Sequence, residues 1–508
     1  MAASIGINFG SISCCVAVHK DGKTVVVAND LGDRVTPAVV AFTEREKSVG
    51  LAAKQGKIRN ASNTITNVKR LLAKRYEDPH VKSYVKKSSC KVIEKACFPV
   101  FDVEYQEKRL LINPREVTTL ILKKMMDIAK VHGGSAAHDA VISVPLDFSP
   151  DQCKQLSNAA KEAGFTVLQL ISEPTAAVLA YNIGQETPTD NSTVLVFRLG
   201  GTCLDISIIS VNSGIYRVLA NTTDTSLGGE QLTDQLVEYC AADFQRNWKC
   251  DMRENKRSMA KLHSACESCK HVLSTMNSST VFVESLYDGL DLNCNVSRAR
   301  LESLFSSILP ACLQPLQKVL DDAGLDKADI DKVIVSGGST RIPKLQKLVR
   351  DYFPDAELLN TIAPDEVVAM GAAVQAGLLC TVDEDDIEEN GVVECCSKNI
   401  MIKILDDNRV EKLLTVIPVN TPIPVRRQHV LQVGKDQCSA CIQIYEGVSV
   451  EDAKLLAKVV LHNLPVDSED GKSVTTILHF RREGSLHVTC CEKTSGITQD
   501  VTIEVSES

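Results

Sequence analysis

At 508 residues, 44% hydrophobic and 24% charged, the chain is long enough for more than one domain and has the balance of a folded globular protein, not a disordered one. A net charge of -9 argues against non-specific nucleic-acid binding as the main activity. No basic and then apolar leader opens the sequence, and its longest uncharged run, Val367 to Val382, is too short to span a bilayer comfortably. A cytosolic protein whose nineteen cysteines are reduced thiols is therefore expected.

In chain order, IGINFGSISCCVAV (Ile5 to Val18) opens the fold as a strand, a turn through Gly10, Ser11 and Ile12, and a second strand. Where a Cβ is missing, an anion can approach the backbone amides closely. Asn29 to Phe42 is a turn and a strand. Thr64 to Arg75 is helical in pattern and carries Lys69, which spacing alone assigns to a solvated face within a basic run. Ala140 to Pro145 is a buried strand, followed by a helix through Ala163 that stops at Gly164. VLQLISEPTAAVLAYNIG then gives a strand, a turn at Glu173-Pro174 and a helix. Pro174 suits the first helical turn, and Glu173 alone would be ordinary helix-start charge.

VLVFRLGGTCLDISIIS (Val194 to Ser210) repeats the first hairpin, with Asn8 matching Arg198, Phe9 matching Leu199 and Gly10 matching Gly200. Gly-Gly turns are common in hairpins that bind nothing. A hairpin repeated this far apart, however, predicts two similar lobes offering their turns to one ligand. Asn221 to Glu230 is expected to be a loop with Gly228-Gly229, leading into a helix through Phe244. Ala265 to Ser274 sets Glu267, Lys270 and Ser274 on one helix face, which alone suggests a surface ion pair. A third Gly turn, VIVSGGSTRIP (Val333 to Pro343), runs from a buried strand through Gly337 and Gly338 into a helix.

Asp365 is placed to cap a helix running to Leu379. DEDDIEEN (Asp383 to Asn390) has the composition of an exposed linker. From Val392 onward, short strands such as IMIKIL, CIQIYEG and QDVTIEV alternate with turns, predicting a β-sandwich. The pairs Cys266/Cys269 and Cys438/Cys441 nominally offer four thiolates to zinc. They fall in a helical and a strand-like segment of different domains, so buried or incidental thiols, and no zinc, are expected.

The three Gly turns, together with SEPTAAVLAY (Ser172 to Tyr181), resemble the actin-like ATPase core of the 70-kDa heat-shock chaperone family. The resemblance runs from Ile5 to the C-terminus and is strongest to the family's atypical, lidless, ribosome-associated kind. It implies an α/β actin-like ATPase domain of two duplicated lobes over 1–382. An acidic linker over 383–391 and a truncated peptide-binding-type β-domain over 392–508 follow, with no helical lid. ATP or ADP is the implied ligand. The segment N-T-x-x-x-x-K-R-L places Lys69 at the family's catalytic lysine, where a cation orients the attacking water and steadies the transferred phosphoryl group. Glu173 and Asp205 stand at the positions that organise metal and water. Phosphate contacts are implied for Gly10, Ser11, Ile12, Arg198, Gly200, Gly201, Thr202 and Cys203, with Gly228 and Gly229 as a hinge loop. Glu267, Lys270 and Ser274 would hold the nucleoside from one side, with Gly337, Gly338, Ser339, Arg341 and Asp365 opposite.

Departures from the family pattern concentrate at the metal. Family members hold Mg²⁺ through water with an Asp in each phosphate hairpin, and here those positions are Asn8 and Arg198; Cys203 replaces a Thr. An amide and a guanidinium are poor partners for a hard cation, so a weakened Mg²⁺ site and vestigial Lys69, Glu173 and Asp205 are expected. Arg198 can reach the phosphates in the metal's place or pair with Asp205. The linker keeps only Ile387 of the family's Leu-rich segment, and the chain ends at Ser508 without sequence for a lid. Weak interdomain coupling and fast peptide escape are therefore expected. The resemblance implies as partners a zuotin-type J-domain protein, the ribosome through it, and nascent polypeptide, with no direct nucleic acid and no membrane. Two readings stand: an ATP-binding cochaperone subunit with little hydrolysis, or a slow ATP-driven peptide chaperone.

Overall fold

The computed structural model describes residues 3–134, 137–184, 192–212, 215–380, 398–405, 411–417, 421, 425–433, 437–447, 453–462, 464, 472–480, 485–492 and 495–504. The chain divides into two compact units, Met1–Gly391 and Val392–Ser508. The acidic stretch expected as a linker lies outside the described residues.

The first unit is built on two sheets of matching topology. In one, the order is Thr166–Ser172, Asp139–Val144, Ser4–Phe9, Ser13–Lys20 and Lys23–Val26, with Val35–Pro37 also pairing on Ser13–Lys20. In the other it is Glu357–Leu359, Lys332–Ser336, Ser192–Leu199, Leu204–Asn212 and Ile215–Asp224. Each sheet centres on an antiparallel hairpin whose first strand also pairs in parallel with a later strand. This is the duplication that the repeated hairpin predicts. The central strands are apolar along nearly their whole length, as strands covered on both faces must be.

Helices Glu173–Ala180 and Val367–Cys380 fill the junction of the lobes. Their alanines and valines share one core with Val141 and Ile171 of the first sheet and Val194, Val196 and Ile334 of the second. The two helices meet at Gly371, where any Cβ would overlap the Ala176 carbonyl. Gly6 plays the same part between its strand and the backbone at Ala373. Ser172 caps Glu173–Ala180 by accepting from the Thr175 amide, with Pro174 in the first turn as expected.

Three local expectations are corrected. Thr64 to Arg75 is not a helix: Thr64–Thr66 is a strand paired with Val39–Phe42, and Val68–Leu71 is a single 3-10 turn. The β-branched Thr-Ile-Thr run favours sheet, and Asn67 at φ 56° turns the chain so that Val68, Lys69 and Leu71 are buried. Asn221 to Asp224 is not loop but the end of strand Ile215–Asp224, paired along Leu204–Asn212. Asp365 does not cap Val367–Cys380; its carboxylate is taken by Arg341, and the helix begins two residues later.

The second unit holds two four-stranded antiparallel sheets. One is Glu411–Ile417, Asn399–Leu405, Ala440–Gly447 and Lys454–Leu461; the other is Val425–Val433, Lys472–Phe480, Ser485–Glu492 and Thr498–Glu504. Ile400, Ile402 and Ile444 from the first share a core with Val474, Leu478 and Val488 from the second, which makes a β-sandwich. Among the described residues this unit carries no helix, and in neither unit is a helix long and apolar enough to cross a membrane.

Candidate nucleotide site

The register of the second hairpin sets Arg198 directly opposite Asp205. Arg198 Nη1 lies 2.6 Å from Asp205 Oδ2 and 3.2 Å from Glu173 Oε2. Glu173 turns its other oxygen, Oε1, to Lys69 Nζ at 2.8 Å. Two cations and two carboxylates thus alternate in one chain that runs from the first lobe to the second. The Glu173 side chain is only 2% exposed, that of Lys69 5% and that of Arg198 12%. Lys69 also faces the rings of Phe9 and Phe148 at 5.9 and 5.5 Å. Thr223 donates to Asp205 Oδ1 at 2.9 Å, and the Cys203 thiol lies 3.3 Å from Oδ2.

The charges sustain one another. Burial alone would raise the Glu173 carboxyl, but Arg198 and then Lys69 outweigh it and hold the group below the usual carboxylate range. Burial opposes the charge on Arg198, yet Glu173 and Asp205 raise its pKa above the ordinary guanidinium value. Burial first and the Asp205 charge second push the Cys203 thiol up to about 11. A small cavity here is lined by Pro145, Leu146, Glu173, Arg198, Asp205 and Thr223 among others.

The Gly turns converge above this array. A side chain at Gly201 would collide with Ile12, so the tips of the two hairpins touch. The Gly229 amide donates to Gly200 O at 3.0 Å, the Glu230 amide to Gly201 O at 2.8 Å, and Ser339 Oγ to Gly200 O at 3.0 Å. Gly337, at φ 85°, packs against the Leu199 carbonyl. Lys270 is buried, donating to Gly229 O and Thr233 Oγ1 at 2.7 Å each, and burial lowers its pKa to about 8. Glu267 pairs across the cleft with Lys54 at 3.1 Å, not with Lys270 as helix spacing suggests. Ser274 spends its hydroxyl on His271 O at its own helix end, and Arg341 pairs with Asp365.

Of the two roles open to Arg198 in the sequence, pairing with Asp205 is present and extends to Glu173. Sequence reasoning missed Lys54, Thr223 and Arg70, which donates to Thr202 O across the cleft. Arg70 had a signal, being the Arg of the K-R-L segment; the other two reach the site from elements that no motif marks. Asn67 Nδ2 bonds Glu230 Oε1 at 3.0 Å, while Asn67 Oδ1 is buried without a partner.

These residues do not fit a divalent cation. Asn8 offers a neutral amide oxygen, already 3.2 Å from Ser143 Oγ, and a guanidinium stands between the two nearest carboxylates. Neither an amide nor a guanidinium is the anionic oxygen that a hard divalent cation favours.

A duplicated α/β domain with three Gly turns closing on a buried Lys–Glu pair, followed by a β-sandwich, is the architecture of an Hsp70 protein. The model of that family matches residues 4–508, and the chain belongs to the Hsp70 family. It is 46% identical to heat shock 70 kDa protein 14 of Homo sapiens and of Pongo abelii, each over 507 residues, 99% of this chain and 100% of the relative. Identity to the Danio rerio protein of the same name is 46% over 505 residues, 99% of both chains. Family membership brings ATP or ADP as ligand, ordinarily with Mg²⁺.

Proposed function

We propose that this chaperone-family protein binds ATP but hydrolyses little or none. In this reading it acts in the cytosol as the partner of a zuotin-type J-domain protein, in a ribosome-associated complex that assists nascent chains. The observation that carries the weak hydrolysis is Arg198 held between Glu173 and Asp205. Phosphoryl transfer needs a cation on the γ-phosphate and a group that orients the water. Lys69 and Glu173 are engaged with each other, and Arg198 occupies the second Glu173 oxygen. Neither residue is then free to orient a nucleophile, and the metal that would neutralise developing charge has lost its carboxylate partners. The Gly turns and Lys270, which bind without reacting, are assembled.

Single-turnover hydrolysis by the pure full chain tests this: little release of phosphate over the background rate is expected. Hydrolysis at a family-like rate that Lys69→Ala abolishes would overturn the reading. It would favour the second one, a slow ATP-driven peptide chaperone, for which the presence of Lys69, Glu173 and Asp205 in the sequence and the β-sandwich speak. For the partner, the protein recovered from cytosol should carry a J-domain protein and ribosomal subunits. Recovery with neither would refute that part.

A further inference from the structure

We propose that Arg198 replaces the divalent cation, so that this site takes its nucleotide in metal-free form, as ATP or ADP without Mg²⁺. The inference rests on the nucleotide-binding reading above and specifies the ionic form of the ligand.

The charge count supports it. Lys69 and Arg198 bring two positive charges to the array, against the two negative charges of Glu173 and Asp205. The array is thus already neutral without any metal. Compared with a site carrying Asp at positions 8 and 198, Asn8 is one unit more positive and Arg198 two. The three units together exceed the two that Mg²⁺ supplies. A divalent ion added here would sit beside a fixed guanidinium and find no free carboxylate, so repulsion and desolvation both oppose it.

Geometry points the same way. Every hydrogen bond and ion pair of the Arg198 head to described residues runs through Nη1, to Asp205, Glu173 and the Cys203 sulfur. Its Nε and Nη2 protons remain for a ligand. The head lies against the turn whose amides would cradle phosphate, since a Cβ built on Gly200 would stand 3.8 Å from Nη1 and 4.0 Å from Cζ. A guanidinium held by two carboxylates and keeping free N–H groups is a pre-positioned donor for phosphate oxygens. Unlike a hydrated metal, it needs no water shell.

The test is calorimetric titration of ATP and of ADP into the full chain, in Mg²⁺ buffer and in EDTA. The wild type is expected to change affinity by less than about threefold on chelation, and Asn8→Asp/Arg198→Asp to weaken by about tenfold or more. A tenfold loss in the wild type in EDTA overturns the inference and leaves the proposed function standing. Binding in neither buffer overturns the proposed function itself, and this inference with it. Should the double variant not fold, Arg198→Gln replaces it. Its affinity in EDTA should drop about tenfold, and an unchanged affinity would refute the role of the guanidinium.

Discussion

At the scale of residues, the alternating array makes Arg198 a fold-stabilising group as well as a ligand group. Arg198→Ala leaves Glu173 and Asp205 facing each other without their common counter-ion. A loss of about 3–5 kcal/mol is expected, read as a lower denaturation midpoint. Lys270 gives a pH signature. Its folded pKa of about 8 lies below the unfolded value of 10.5, so between the two the unfolded chain holds a proton that the folded chain has released. Stability should therefore rise with pH across that window. Lys270→Met should flatten the rise, which thermal melts at successive pH values would show. Thiol chemistry supplies a third check. With Cys203 pushed up to about 11 and Cys14 up to about 12, alkylation near neutral pH should mark the exposed Cys97, Cys380, Cys438 and Cys441 and spare those two. Peptide mapping that finds Cys203 modified first would contradict the assigned electrostatics. Asn8 and Arg198 were legible in the sequence because a repeated hairpin lets one position be set beside another. Thr223 and Lys54 were not, because each acts on a partner that only tertiary packing brings near.

At the scale of elements, periodicity succeeded where a segment is apolar on both faces and failed where register decides. The hairpin strands and the helix Val367–Cys380 are apolar almost throughout, and nothing competes with that pattern. The segment around Lys69 carries helix-like spacing, but Thr64–Thr66 is claimed by pairing with a neighbouring strand, a contact invisible in the local sequence. Asn221 to Asp224 shows the same failure in polar residues, which a strand accepts when its partner supplies the ladder. The crossing of Glu173–Ala180 and Val367–Cys380 makes a sharp prediction. Gly371→Ala drives a methyl into the backbone carbonyl of Ala176, which no rotamer change can relieve. Destabilisation at or above the top of the usual overpacking range, about 1–3 kcal/mol, should appear in urea unfolding. A neutral result would mean that the helices do not approach as closely as described.

At the scale of the whole molecule, the duplication of the first unit and the sandwich of the second were both written in the order of strands and turns. The segment between them is legible only as composition: six acidic residues in eight, with Ile387 the single large apolar side chain. With one large apolar side chain this composition offers little apolar surface for docking, so ATP should change peptide off-rates by much less than a hundredfold, a factor worth roughly 3 kcal/mol. Stopped-flow release of a labelled peptide, with and without ATP, measures it, and a hundredfold acceleration would refute the argument. The array of Lys69, Glu173, Arg198 and Asp205 has a further consequence, for ancestry. Restoring an Asp at position 198 alone would set three carboxylates around one lysine, while restoring an Asp at position 8 alone would leave the guanidinium in the ion's way. An Asp at position 198 alone thus costs fold stability and an Asp at position 8 alone gains no metal, so a metal-dependent site lies two substitutions away, with no benefit from either one singly.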